Sequence, residues 1–184
     1  VVAGMIVSES IADWCEGAGV AGSVPMGLVR EHWERVEGEL AAILGRGSGE
    51  SATQLMAQMQ RVMGDQVCVF RSGPVLQLAL DELQGLLERS AHLAVRRSSP
   101  GVNPELVDAY RVRRMLRLAL CVVAGALART ESRGAHFRED FPRRDDRTWL
   151  KRTLAFWRDP DDALPTLDYE PLDFRVSPLV RLDL

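Results

Sequence analysis

The longest helical pattern in the chain constrains its fold more than any other feature. Asn103 followed by Pro104 is a helix start signal, and apolar residues then recur at helical spacing to about Arg129. A helix of this length with one apolar side needs other helices to cover that side. The pattern therefore predicts a helical bundle of about three to five helices. The residues expected on the buried side are Leu116, Leu120, Val123 and Leu127.

Three shorter helical patterns precede it, over residues 23–44, 51–70 and 72–89. Each begins with a serine, and two have a proline near the first turn, as helix starts commonly do. The glycine-rich residues 45–49 are expected to form a flexible joint between the first two. The residues expected to be buried are Leu28, Val29, Trp33, Val36, Leu40, Ile43 and Leu44 in the first pattern, Leu55, Met56, Met59, Val62 and Met63 in the second, and Val75, Leu76, Leu78, Ala79, Leu83, Leu86 and Leu87 in the third.

The chain begins with an apolar segment that has no obvious partner. Residues 1–15 are apolar on most sides, which predicts a helix that belongs inside a larger domain. The segment has no basic flank, no cleavage site and no initiating methionine, so we expect it to be the interior of a longer protein. Without that cover, we expect the fragment to self-associate through Val2, Met5 and Ile6.

Composition excludes several classes of function. The 184 residues are 46% hydrophobic and 27% charged, which suits one folded domain with a substantial core. The net charge of −3 gives no attraction to nucleic acid. No run of about 18 apolar residues is present that would span a bilayer. The sequence therefore predicts neither a nucleic-acid partner nor direct membrane insertion.

The cysteines and histidines give no sign of a metal site. The cysteines are odd in number and scattered, which indicates buried thiols in a reducing compartment rather than disulfides or an iron-sulfur centre. The histidines lack the spacing of metal ligands. We therefore predict no metal site. The residues concerned are Cys15, Cys68, Cys121, His32, His92 and His136.

The stretch RTESRGAHFREDFPRRDD, residues 129–146, carries the clearest functional signal. Both signs of charge alternate along it, and Phe137, Phe141 and Pro142 are interleaved. Charge-assisted hydrogen bonds combined with aromatic anchors suit docking against a second surface. Gly134 at its centre predicts a close backbone approach or a positive φ. The candidate docking residues are Arg129, Glu131, Ser132, Arg133, Gly134, His136, Arg138, Glu139, Asp140, Asp145 and Asp146.

This stretch resembles, nearly residue for residue, the signature of the flavoprotein subunits of fumarate reductases and succinate dehydrogenases. The resemblance extends to VVAGMIVSESIADWC at the start, to the long helix before the signature, and to WLKRTLAFWRDPDDALPTLDYEPLD after it. The ending DDALPTLDYEPLD is most similar to that of bacterial menaquinol-linked fumarate reductases. Residues 176–184 match nothing in the family pattern.

The resemblance implies an order of domains. Residues 1–18 would be the last helix of a flavin-binding domain, residues 19–147 a C-terminal helical bundle, and residues 148–184 a hairpin with a tail. Propensity alone also permits one more helix in the last segment, but the resemblance implies strands over residues 150–157 and 166–173. We therefore expect a mainly α fold with a small C-terminal β-hairpin, and strands confined to that hairpin.

The resemblance also implies that the chemistry lies outside this chain. In the family, reduced flavin transfers hydride to fumarate, and the residues that hold FAD, clamp the substrate and deliver the proton are upstream of this sequence. The chain has no GxGxxG fingerprint. We predict no catalytic, cofactor-binding or metal-binding residue here, no bound flavin, and no activity in the isolated fragment. His136 has no suitably spaced acid–base partner, and the resemblance implies a structural or docking role for it.

The implied partners are the chain's own flavin-binding domain and the iron-sulfur subunit of the parent complex. Arg133 and Arg138 are expected to clamp carboxylates across that seam, while Glu131, Asp140 and Asp145 pair with arginines inside the segment or beyond it. The complex would lie in the cytoplasm at the inner face of the membrane. Two alternatives stay open: a free-standing helical protein-interaction module, and a C-terminal domain like that of L-aspartate oxidases, which share the ESRG core.

Overall fold

The computed structural model describes residues 11–17, 25–96, 102–159 and 162–172 of the chain. Helices dominate these residues and an antiparallel hairpin follows them, so the predicted fold class is confirmed. The main elements are α1 (Met26–Leu44), α2 (Ala52–Asp65), β1 (Phe70–Arg71), α3 (Gly73–Arg89), a 3₁₀ turn (Ser90–His92), α4 (Pro104–Ala128), β2 (Phe137–Arg138), α5 (Asp146–Trp149), β3 (Lys151–Phe156) and β4 (Thr166–Pro171).

The hydrophobic core lies in the second of two compact units, Val1–Ala41 and Ala42–Leu184. Here α2, α3 and α4 pack against one another, and their apolar faces meet in one cluster. Met59 is buried in this cluster while Met56 and Met63 pack against it, as their helical spacing predicted. The large aliphatic members with no exposed area are Leu55, Leu76, Leu83, Val112, Leu116, Leu120 and Val123.

The longest helix, α4, starts as its sequence predicted. Asn103 precedes it in an extended conformation, and its side-chain oxygen accepts a hydrogen bond from the Leu106 amide at 3.2 Å. Pro104 occupies the first helical position. A backbone N–H there would have no acceptor within the helix, so proline's lack of an N–H costs no hydrogen bond. None of the helices in the described residues combines the length and hydropathy needed to span a bilayer.

The glycine-rich residues 45–49 are anchored at their end rather than free. Glu50 donates its amide to the His92 carbonyl at 2.9 Å and accepts the Ala94 amide at 3.2 Å, which forms a short parallel bridge. Gly49 lies so close to this bridge that a Cβ there would be 2.1 Å from the His92 carbonyl oxygen. Only glycine fits at that position, so the prediction of a flexible joint is wrong there.

Strands are not confined to the hairpin, contrary to prediction. β1 pairs in parallel with β2, with Phe70 opposite Phe137 and Arg71 opposite Arg138. Because the chain turns into β1, α2 ends at Asp65 instead of continuing to residue 70. This two-residue pairing connects the loop after α2 to the stretch that follows α4.

The C-terminal hairpin is confirmed. β3 and β4 pair antiparallel, from Lys151 opposite Pro171 to Phe156 opposite Thr166. Thr153 of β3 lies against α4, where a Cβ on Gly125 would be 3.7 Å from its methyl carbon. The resemblance to the family predicted this hairpin correctly where local propensity also permitted a helix.

The helix α1 contradicts the prediction of a buried apolar face. It runs from Met26 to Leu44 as expected, but none of its residues is buried. Leu28, Val29 and Trp33 are 63%, 43% and 68% exposed. Periodicity shows which face of a helix is apolar, but it carries no information about whether another element covers that face.

Little of the first predicted helix can be compared. Residues 11–17 are helical and exposed. Val2, Met5 and Ile6, on which the predicted self-association depends, lie outside the described residues.

Other burial predictions were also wrong. Cys15 and Cys68 are exposed and Cys121 is half-buried, so none of these thiols belongs to the core. In α3, Val75 and Leu78 are 37% and 59% exposed, because the buried face of that helix follows its other leucines.

Candidate docking site

The signature segment, residues 129–146, starts where α4 ends, and Arg138 closes that helix end. Nη1 of Arg138 donates to the carbonyl oxygens of Ala126, Leu127 and Arg129 at 3.0, 2.9 and 3.2 Å. The last carbonyls of a helix have no partner within it, so this guanidinium serves as a C-terminal cap. Arg138 is 2% exposed and therefore binds within its own chain, rather than clamping a carboxylate across a seam as expected.

Asp140 neutralises Arg138 and connects the signature segment to α3. Its carboxylate accepts hydrogen bonds from Nε and Nη2 of Arg138, both at 2.8 Å, and from the Gly73 amide at 2.9 Å. The unpaired amides and the dipole at a helix N-terminus favour a carboxylate there. The hydrogen bonds from Arg138 and Gly73 hold the pKa of Asp140 well below its ordinary value. A Cβ on Gly73 would lie 2.9 Å from Asp140 Oδ2, so glycine permits this approach.

Glu131 has no exposed area, yet it carries a negative charge. Arg133 donates to it from Nε and Nη2 at 2.7 and 3.0 Å, Arg129 from Nη1 at 2.6 Å, and the Asp145 amide at 2.8 Å. Burial alone would raise the pKa of Glu131. The hydrogen bonds from Arg133, the Asp145 amide and Arg129 outweigh burial and lower that pKa below its ordinary value. Glu131 is therefore an internal anchor for two arginines.

Asp146 extends this network to the surface. Its Oδ1 accepts from Arg144 Nε and from Arg133 Nη2, both at 2.6 Å, and these bonds lower the pKa of Asp146 to about 2. Asp145 next to it accepts two amides from the first turn of α5, at 3.0 and 3.1 Å, and so caps that helix. The outer part of the network is thus charged, paired and open to solvent.

Arg129 joins the signature segment to the hairpin. Its Nη1 donates to the Trp149 carbonyl at 3.0 Å and its Nη2 to the Lys151 carbonyl at 2.6 Å. Trp149 is buried, and its indole N–H donates to Thr130 Oγ1 at 3.0 Å. The Lys151 ammonium lies 4.8 Å from the Trp149 ring centroid and 4.3 Å from that of Tyr169. These contacts fix the start of β3 against the end of α4.

A tight turn shapes the middle of the segment. Arg133 and His136 exchange two backbone hydrogen bonds, at 2.8 and 3.0 Å, across Gly134. Gly134 has φ +57°, as its position predicted, and glycine adopts this region without steric cost. Ser132 Oγ accepts the Arg138 amide at 2.9 Å and holds the return of the chain.

His136 connects the turn to β1. Its Nδ1 lies 2.7 Å from Arg71 Nη1, and because a guanidinium only donates, Nδ1 must accept. Its Nε2–H is then left to donate to the Arg129 carbonyl at 3.3 Å. Burial lowers the pKa of His136, and the charges of Arg71, Arg138 and Arg129 lower it further against the opposing effect of that carbonyl. A neutral His136 therefore holds two elements together.

The outer surface of the segment offers charges around aromatic rings. Glu139 and Arg143 are exposed, and Phe141 is 40% exposed. Phe70 of β1 is 73% exposed and meets Phe137 edge to face, with ring centroids 5.5 Å apart. In the part of the chain that the structure describes, no three potential metal ligands cluster.

Residues 56–182 match the family described as "Fumarate reductase flavoprotein C-term". The match covers more than half of the chain and includes the whole signature segment. It also extends to residue 182, so the expectation that residues 176–184 match nothing in the family pattern was wrong for most of them. The chain belongs to this family.

Relatives of the chain agree with that assignment. The chain is 43% identical over 184 residues to the fumarate reductase flavoprotein subunit of Helicobacter pylori strain J99, with 98% of this chain and 26% of the relative covered. The corresponding subunit of Mycobacterium tuberculosis is 39% identical over 130 residues, with 71% of this chain and 22% of the relative covered. The chain thus spans about a quarter of the length of these curated relatives.

A solved structure shares the fold of this domain. A quinol fumarate reductase chain of E. coli superposes with a TM-score of 0.77 at 31% identity, covering 85% of this chain and 27% of that one. The part of the E. coli chain that superposes therefore has a similar fold.

Three residues outside the signature complete the site of this fumarate reductase flavoprotein domain, and sequence reasoning missed their roles. Arg71 supplies the bond to His136, Gly73 gives Asp140 its helix N-terminus, and Trp149 receives Arg129. The Ser-Gly-Pro helix start at residues 72–74 is a usable signal for Gly73. No sequence feature near Arg71 indicates its role, because its partner lies 65 residues away.

Proposed function

We propose that this chain is the part of a fumarate reductase or succinate dehydrogenase flavoprotein that packs on the flavin-binding domain and docks the iron-sulfur subunit. One observation carries the proposal: the signature segment is ordered by buried ion pairs inside this chain, while its outer charges and rings face solvent. A surface that is ordered before binding loses little conformational entropy when a partner arrives.

The proposed contact surface combines aromatic anchors with a charged rim. Phe70 and Phe141 are exposed rings close to the signature, and aromatic residues are over-represented among those that dominate binding energy. Glu139, Arg143 and Arg144 form a rim of both signs, which would set the orientation of a partner more than its affinity.

In this proposal the parent interconverts fumarate and succinate through FAD, and the chemistry is not done by residues of this chain. The resemblance implies that the flavin contacts and substrate residues are upstream. The isolated chain should therefore purify colourless and inactive. The parent complex would lie at the cytoplasmic face of the membrane.

The parent complex gives the sharpest test, because electrons reach the flavin by two routes. Charge reversal at Glu139 and Arg143 together should weaken copurification of the iron-sulfur subunit and quinol-linked fumarate reduction. Reduction driven by a small-molecule donor that reaches the flavin directly should persist. Reversal of exposed Arg113 on α4 is the control and should leave both unchanged. Equal loss through both routes, or no loss through either, would contradict the proposed docking surface.

A further inference from the structure

Two helices of this chain each expose an apolar face, and these helices carry opposite net charge. On α1, Met26, Val29 and Trp33 are 71%, 43% and 68% exposed, and half-buried Val36 and Leu40 continue the same side of the helix. With about 100° between successive residues, these five lie within about 80° of one another and form one apolar face of the kind that marks an interaction site.

The second face runs along α4, on the side away from the core. Val107, Met115, Leu118 and Val122 are 40%, 38%, 66% and 43% exposed. With about 100° between successive residues, these four lie within about 80° of one another, opposite buried Leu116. They form one continuous apolar stripe, which we call the α4 stripe.

The two helices also carry opposite charge. The sequence of α1 contains four glutamates and two arginines, a net charge of −2. That of α4 contains four arginines against one glutamate and one aspartate, a net charge of +2. Arg111 lies within the arc of the α4 stripe and Arg114 at its edge, where its guanidinium carbon is 3.5 Å from the centroid of the Tyr110 ring.

We propose that α1 of one copy of this chain lies along the α4 stripe of a second copy. The lengths agree, since the apolar face of α1 from Met26 to Leu40 spans about 21 Å and the stripe from Val107 to Val122 spans about 22 Å. A two-fold pair, the commonest symmetry of protein dimers, would make the contact twice. The contact is separate from the signature segment and does not depend on the proposed docking there.

Sedimentation velocity on the full 184-residue chain, over a range of protein and salt concentrations, tests the proposal. We expect a dimer whose dissociation constant increases with salt, because opposite charges face each other. Leu118→Glu should raise that constant by about tenfold or more, since it places a carboxylate in the apolar stripe. Arg111→Glu should weaken the dimer, and combining it with Glu37→Arg, at the edge of the apolar face of α1, should restore affinity.

Arg113→Glu is the matched control, because it makes the same charge change on the same helix outside the stripe. It should leave the dimer unaffected, and at protein concentrations low enough for monomers all variants should melt like the parent chain, since these positions are exposed. A monomer at every concentration would overturn the proposal, as would equal effects of Leu118→Glu and Arg113→Glu. Loss of the dimer on Met5→Asp but not on Leu118→Glu would also overturn it.

Discussion

The helical bundle and the signature segment of this domain are held together by different kinds of contact. In the bundle, α2, α3 and α4 bury a cluster of apolar side chains. In the signature segment the two most buried side chains are ionised: Glu131 is 0% and Arg138 is 2% exposed. Aliphatic packing depends on volume and shape, whereas each buried ion depends on partners at fixed positions.

This difference explains why the two regions look so different in sequence. Many combinations of Leu, Val, Ile and Met fill a core of the same volume. The sequence of the bundle therefore reveals the helical period of its apolar residues and little more. The signature residues have no such freedom, because replacing one partner of Glu131 leaves a buried charge without compensation. We therefore expect few residues of the signature segment to be replaceable without a loss of stability.

The largest effect should follow removal of the buried carboxylate. We expect Glu131→Ala to lower the free energy of unfolding by about 3–5 kcal/mol, because Arg129 and Arg133 are then left close together without their shared counter-charge. Urea denaturation followed by circular dichroism measures this. Exposed Glu139→Ala is the control and should change stability by less than about 0.5 kcal/mol. Similar losses for the two variants would contradict the structural role of Glu131.

Conservative substitutions should destabilise the signature segment more than the hydrophobic core. In the core, Leu83→Met keeps volume and should cost less than about 1.5 kcal/mol. Arg133→Lys keeps the charge but loses the paired donors to both oxygens of Glu131, and should cost about 1–3 kcal/mol. If lysine at position 133 is tolerated as well as methionine at position 83, the segment relies on charge rather than geometry.

A smaller effect is expected at the start of α4. Asn103→Ala removes the oxygen that accepts the Leu106 amide and should cost about 1 kcal/mol. Ser51→Ala is the matched control, because Ser51 precedes α2 without a side-chain capping bond and should cost less. Thermal unfolding of both variants measures the difference in stability. A larger loss at Ser51 would contradict the role of the hydrogen bond between the Leu106 amide and Asn103.

The pH dependence should be the smallest effect and should arise in the signature segment. The folded-state pKa of His136 lies below its ordinary value of 6.5, so the unfolded chain binds more protons as pH falls below 6.5. This contribution to stability is therefore complete above pH 6.5 and is lost as pH falls toward the folded-state pKa. His136→Gln should remove this slope in denaturation curves measured from pH 7 downward, and an unchanged slope would contradict the neutral link to Arg71.

Sequence predicted the elements of this domain better than the contacts between them. The Asn103 cap, the Met59 core position and the Gly134 turn all depend on local rules and were found where expected. The hairpin came from the family resemblance, because propensity over β3 also permits a helix. Pairing of β1 with β2 was missed, since it joins residues 67 apart and leaves no local trace.

The candidate site was predicted as a set of residues but not as an arrangement. The members that were predicted lie on one stretch of chain, where the charge pattern and the family resemblance indicated them, whereas Arg71, Gly73 and Trp149 lie outside it and were missed. Arg133 and Arg138 were both expected to clamp carboxylates across the seam. Instead, buried Arg138 caps α4, while Arg133 binds Asp146 at the surface. Which arginine faces in depends on the position of Asp140 beside Gly73, a contact across the fold that no spacing rule encodes.

Amide hydrogen exchange of the isolated chain tests most directly whether the signature segment is folded by contacts within this chain. Four of its amides are diagnostic. Ser132 donates to the Arg143 carbonyl, Phe137 to the Val69 carbonyl, Glu139 to the Arg71 carbonyl of β1, and Asp145 to the Glu131 carboxylate. We expect these four to exchange slowly without any partner. Exchange at the rate of an unstructured chain, with protection only after the iron-sulfur subunit is added, would contradict a segment that is ordered before it docks.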